Sequence, residues 1–290
     1  MEWNRNNIVK AKVLFRQCGT QPKDPAFYAA RAALMKENPE LAEVDLQQAI
    51  KLEYQEWRYH KLLAEHFILQ KKYDKALAVV EPFYKQHSDN YIIGMLYAKT
   101  ILLNKKYAEA DAFLTKLKIL PFEGATIGRQ LYHEAKLMQA VMEMKNKQYK
   151  KALKFIAEAK LWPENLGVGK PFQEDIDERL EDWLNYQCYT SLRDEKTAMK
   201  SLQKIIAFVP KVDNTVMNFF PANQLVATWA IEKTSGSKSA EEWMLTQARL
   251  YPSNKIIQWC LKIYTKKHSN DLTPDEKDGG VRILEQLFNF

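Results

Sequence analysis

Gly167-Val168-Gly169-Lys170 is the stretch of this 290-residue chain that most resembles a phosphate-cradling loop, and its spacing defeats the chemistry. Such a loop needs G-x-x-x-x-G-K-[ST] after a strand, whereas Pro171 holds the hydroxyl position and no strand precedes it. The segment from Gly124 to Gly128 fails on the same grounds. His133-Glu134, near Arg129 and Tyr132, is where a general base would be sought, but nothing beside it marks a nucleophile. It reads as a surface or packing pair. The carboxylates of Glu174, Asp175, Asp177, Glu178, Glu181 and Asp182 lack the spacing of a calcium loop and stand at a helix start, where the macrodipole favours them. Capping is the reading they support. Cys18, Cys188 and Cys260 are too scattered for a zinc site or a disulfide framework. The expectation is therefore no catalytic residue, no metal and no cofactor.

Composition narrows the remaining classes. The net charge of +7 nominally suits anionic partners, but the lysines are spread along predicted helices among Glu and Asp. They read as solvated faces, so nucleic acid is not an expected partner. No apolar run is long enough for a membrane helix, and residues 1–12 are too polar for a signal peptide. A cytoplasmic location is the expectation. With only 9 Gly and 11 Pro against 46% hydrophobic residues, long helices are favoured over a many-turned β fold.

A short phrase gives the organisation: Lys72-Tyr73-Asp74-Lys75-Ala76-Leu77, Lys106-Tyr107-Ala108-Glu109-Ala110 and Gln148-Tyr149-Lys150-Lys151-Ala152-Leu153. Ala42, Ala76 and Ala110 stand 34 residues apart, and Ala152, Ala198 and Ala240 follow at 42, 46 and 42. Four residues after each alanine comes a large apolar residue: Leu46, Val80, Leu114, Ile156, Leu202 or Met244. Twelve before stand Ala30, Ala64, Ala98 and Ala140 in the first four repeats, where a small side chain lets paired helices approach, and then Tyr186 and Thr228. Pro121, Pro163, Pro210 and Pro252 stop the second helix of a repeat. This register resembles the tetratricopeptide repeat family over six repeats, without the leading Trp of its pattern. The resemblance implies an all-α, right-handed superhelix of about six helix pairs with a C-terminal capping helix. Residues 1–22 are an extension or cap, 23–268 the superhelix, and 269–290 a linker and an amphipathic tail that docks back on the scaffold or onto a partner.

The excess length falls between repeats, in loops at 121–128, 163–177 and 210–221, which in a solenoid share one edge. They carry Phe122 and Glu123, then Trp162, Glu164 and Asn165: glycine-flanked aromatics and polar groups suited to a ligand, or else filler between repeats. The segments from Leu120 to Gly124, Trp162 to Lys170 and Asp175 to Arg179 are similar to the C-terminal repeat region of large bacterial proteins. Those proteins join tetratricopeptide repeats to a β-sandwich domain of unknown function with a suspected carbohydrate role. That resemblance implies a glycan, or an attached sandwich domain, as the alternative partner.

On the groove face the register places Phe27, Arg31, Leu34, Arg58, Lys61, Glu65, Ile68, Met95, Lys99, Leu102, Leu137, Val141, Trp183, Gln187, Leu225 and Trp229. The expected function is a non-catalytic scaffold holding a protein or peptide. Arg31, Lys61, Glu65, Lys99, Arg129, Arg179, Trp183 and Trp229 join the loop residues as candidate contacts.

Overall fold

A computed structural model describes residues 8–19, 22–35, 37–121, 125–209, 221–265 and 279–287. Every regular element among them is helical. Expectations for Phe122, Glu123 and nearly all of the 210–221 loop lie outside the described residues. The chain forms two compact units, Met1–Lys106 and Tyr107–Phe290.

The first unit holds α1 (Ile8–Gln17), α2 (Pro25–Leu34), α3 (Pro39–Leu52), α4 (Trp57–Leu69), α5 (Tyr73–Gln86) and α6 (Tyr91–Leu103). Helices α2 and α3 pair, as do α4 and α5, and α6 packs on α5 and α4. The starts are set locally. Asp24, Asn38, Glu56 and Asn90 each turn a side-chain oxygen onto a first-turn N–H, and prolines open α2 and α3, where a missing N–H costs nothing. Phe15 meets Phe27 edge-on at 5.2 Å, seating α1 on α2.

The second unit holds α7 (Tyr107–Leu114), α8 (Ile127–Lys145), α9 (Tyr149–Ala159), α10 (Arg179–Ser191), α11 (Glu195–Ala207), α12 (Asn223–Ser235), α13 (Ser237–Leu250), α14 (Lys255–Thr265) and α15 (Gly279–Leu287). Pairs α8/α9, α10/α11 and α12/α13 repeat the pattern, α14 closes on α12 and α13, and α15 packs on α8.

All six repeat alanines, Ala42, Ala76, Ala110, Ala152, Ala198 and Ala240, are no more than 3% exposed. Their apolar followers, Leu46, Val80, Leu114, Ile156, Leu202 and Met244, are no more than 4% exposed. Small residues permit close helix approach and large ones fill the gap behind, so the 34-residue rhythm is a packing rhythm. One part of it was invisible in the residue types. Lys71, Lys105, Lys147 and Arg193 take φ of 60, 62, 58 and 61°, each five residues before its repeat alanine. In each, two crossed backbone bonds close the helix, as from Lys71 N–H to the Ile68 carbonyl and Lys72 N–H to the Phe67 carbonyl. This closure usually employs glycine, since a side chain there costs about 1–2 kcal/mol.

Two histidines of the first unit, buried His60 and half-buried His66, are held below their ordinary pKa by their surroundings. His60 is 3% exposed, bonded to the Tyr54 carbonyl at 2.8 Å and stacked 4.2 Å from Phe83. Burial pushes its pKa below the ordinary 6.5, as it does for His66. Unfolding raises proton affinity, so this contribution to stability is whole above pH 6.5 and is lost as pH falls from there through the folded value. Denaturant midpoints between pH 7.5 and 5.5 are expected to fall, by at most about 1.4 kcal/mol per pH unit for each group. The slope is expected to flatten in His60→Asn; an unchanged slope would refute the assignment.

Candidate functional site

The 163–177 insert folds onto its own neighbours before it reaches α10. Asn165 donates its side-chain amide to the carbonyls of Leu114 at 2.9 Å and Leu117 at 2.7 Å, while its own carbonyl accepts from Ile119 N–H at 2.8 Å. Gly167, at φ 68°, sits where a Cβ would stand 2.9 Å from the Ile119 carbonyl oxygen. Close backbone approach is the glycine's role, and what it approaches is its own chain. Trp162 lies under the Arg129 guanidinium, 4.7 Å from ring centroid to charge. Arg129 is buried and also donates to the Ala159 carbonyl at 2.6 Å; burial lowers its pKa. Of the insert's sequence candidates Glu164 alone stands exposed, and Asn165 and Trp162 are engaged internally.

The acidic run is more than a cap. Asp177 accepts from Arg179 N–H at 3.3 Å, and its carboxylate takes the Arg179 guanidinium at 2.8 and 2.7 Å with both side chains almost wholly buried. Arg179 continues to Gln224 of α12 at 3.1 Å and lies over Phe208 at 5.0 Å. Glu178 and Asp182 clasp Lys160 at 2.9 and 3.0 Å, and Glu181 takes His133 at 2.9 Å. These carboxylates clamp α10 to the helices beside it. Burial pulls Lys160 down, and Asp182, Glu181 and Glu178 more than restore it, leaving its pKa raised. Burial likewise pushes Glu181 up, but His133 and Lys160 outweigh it and its pKa is lowered. His133 and Glu134 part company: the second pairs with Arg282 of α15. Cys188 is buried and its thiol is pushed up to about 12, which leaves it protonated and unreactive.

A second aromatic cluster lies on α10 and α12, which pack together as first helices of successive pairs. Trp183 and Trp229 stand 5.3 Å apart at 36°, and Tyr186 lies 5.2 Å from Trp183. Trp183 is 6% exposed, whereas Tyr186, Gln187 and Trp229 are half-buried. The indole Nε1 of Trp183 and the amide Oε1 of Gln187, one turn on, are buried without a hydrogen-bond partner among the described residues. The first is a donor and the second an acceptor.

The other groove expectations divide. Arg31 is taken by Asp45 in two bonds of 2.7 and 2.6 Å, which raise its pKa. Lys61 and Glu65 pair with each other at 2.9 Å one turn apart, and Lys99 is half-buried. Phe27, Leu102, Leu137, Val141, Leu225 and Trp183 are buried, which corrects their placement on an open groove; of the aromatic cluster on α10 and α12, Tyr186 and Trp229 are the half-buried members. Among the described residues no group of three His, Cys, Asp or Glu is placed to hold a metal ion, and no helix is long and apolar enough to cross a membrane.

Helix pairs whose register alanines stand 34, 34, 42, 46 and 42 residues apart define an all-α helical-repeat fold like that of tetratricopeptide proteins. No protein-family model and no curated protein matches the chain. Among solved structures it is similar to Pseudomonas aeruginosa PilF, with a TM-score of 0.41 and 18% identity, over 70% of this chain and 85% of that one. It is also similar to the human IFIT1 dimer with m7Gppp-AAAA, with a TM-score of 0.42 and 13% identity, over 98% of this chain and 67% of that one.

Proposed function

We propose that the chain is a non-catalytic scaffold that binds an extended protein segment across α10 and α12. The observation that carries this is the pair of unmet groups, Trp183 Nε1 and Gln187 Oε1, beside the Trp183, Tyr186 and Trp229 rings. A buried polar atom left unpaired costs about 1–3 kcal/mol, so a partner group that reaches either one recovers that cost. Half-buried Trp229 and Tyr186 supply the flat contact area that aromatic anchors give at interfaces. In the first unit, Lys61, Glu65 and Lys99 are the candidate contacts, since Arg31 is committed to Asp45. Nucleic acid is less well served: Lys136, Lys160 and Arg179 already meet carboxylates.

A display library of random peptides panned against the full chain supplies the probes, and anisotropy measures the selected ones. Trp229→Ala and Gln187→Ala are each expected to weaken them at least tenfold. Selected peptides indifferent to both substitutions would overturn the proposal. A glycan is the second reading, favoured by the tilted Trp183 and Trp229 pair and not by Trp162, one face of which Arg129 covers. Oligosaccharide quenching of tryptophan fluorescence that Trp229→Ala abolishes would move the assignment there. Joining this scaffold to a β-sandwich domain belongs to that second reading alone.

A further inference from the structure

Helix α15 is nine residues long, too short to persist alone in water, yet Val281, Ile283, Leu284 and Leu287 are buried. Its helicity therefore depends on the surface that receives it. Arg282 donates Nε and a terminal nitrogen to the two oxygens of Glu134 at 2.6 and 2.5 Å, and the Glu134 side chain is only 4% exposed. Gly279 passes over the same carboxylate, where a Cβ would stand 2.8 Å from its oxygen. Farther along, Lys145 reaches Gln286 at 3.2 Å. The two contacts run in the same order on both helices, so α15 lies parallel to α8 along the stripe that Glu134 and Lys145 mark, with buried Met138 and Val141 between them.

That stripe differs from the one α8 turns toward α10, where His133 meets Glu181. In this unit α8 packs on α10, α10 on α12 and α12 on α14. Helix α15 thus packs on a flank of α8 other than the one that meets α10. It follows Thr265 in the chain after residues 266–278.

We propose that this flank of α8 is a helix-docking groove, that α15 is its occupant in cis, and that a partner's amphipathic helix displaces it. The template reads directly: apolar residues at the spacing of Val281, Ile283, Leu284 and Leu287, with an arginine where Arg282 stands. The arginine is required because departure of α15 leaves the buried Glu134 carboxylate without its cation, and a planar guanidinium replaces both bonds where a lysine replaces one. This inference rests on reading the chain as a binding scaffold, but concerns a surface separate from α10 and α12.

The test uses the full chain and a fluorescent peptide of residues 279–287. Leu284→Asp frees the groove by undocking α15. The peptide is expected to bind this variant saturably and the unaltered chain at least tenfold more weakly. An Arg282→Glu peptide is expected to lose binding at least tenfold and to regain it on a chain carrying Leu284→Asp with Glu134→Arg. Equal binding to freed and unaltered chains, or no rescue by the charge exchange, overturns the proposal. Association of the freed chain into dimers through this groove, seen by sedimentation, overturns it in favour of a second copy. If Leu284→Asp does not fold, a protease site placed within 266–278 severs α15 after folding. Exchange of the severed helix for peptide then supports the groove, and failure to exchange refutes it. None of these outcomes bears on Trp229-dependent binding, so the two proposals fail separately.

Discussion

Asp177→Ala is expected to destabilise the second unit by about 3–5 kcal/mol, because it leaves the Arg179 guanidinium buried with no opposite charge. The side chains of the pair are 2% and 0% exposed, so water cannot replace the lost oxygens. Arg179 also carries the contact to Gln224 and lies over Phe208, so the stranded charge sits where α10, α12 and the end of α11 converge. Removing both partners is a different experiment. Asp177→Leu with Arg179→Met exchanges the pair for apolar volume, and is expected to cost less than either single change because no charge is stranded. Urea unfolding of the three variants decides it. A double variant as unstable as Asp177→Ala would show that the ion pair itself, and not the orphaned charge, holds the junction.

Trp183→Ala is expected to cost a further about 3–5 kcal/mol, the range for emptying a buried aromatic site. A binding loss in that variant is therefore uninformative on its own. Trp183→Phe separates the two roles. It keeps most of the ring volume and removes the unmet Nε1, so stability is expected to change by about 1.5 kcal/mol or less, while peptides selected on the native chain weaken. Thermal unfolding and anisotropy on the same samples provide the comparison. Binding unchanged in Trp183→Phe would remove Nε1 from the proposed site.

The helical pairing was legible because its cause is local and repeated: every alanine of the register must be small for two helices to touch, and so every one is alanine. Trp183 and Trp229 could be named singly, but not as neighbours, since the long inserts before Ala198 and Ala240 shift the count between repeats. Asn165 and Gly167 by their types suit either a ligand or filler between repeats, and the structure gives the second. Their polar group and close approach are spent on the chain itself, at Leu117 and Ile119. Lys71, Lys105, Lys147 and Arg193 gave no sign of left-handed backbone, because lysine and arginine do not mark it. The Asp177 pair is hidden more deeply: in a charged run Asp177 reads as a helix-start carboxylate, and no residue type there marks it and Arg179, two positions on, as buried.

The contact between Glu134 and Arg282 spans 148 residues. At a translation rate of about 5–20 residues per second, residue 282 is joined roughly 7–30 s after residue 134. Throughout that interval α8 can pair with α7, α9 and α10 as they emerge, while one flank waits with a bare carboxylate among apolar side chains. A nascent chain of this protein therefore presents its stickiest surface longest at α8, and the last described helix to be made is the one that retires it.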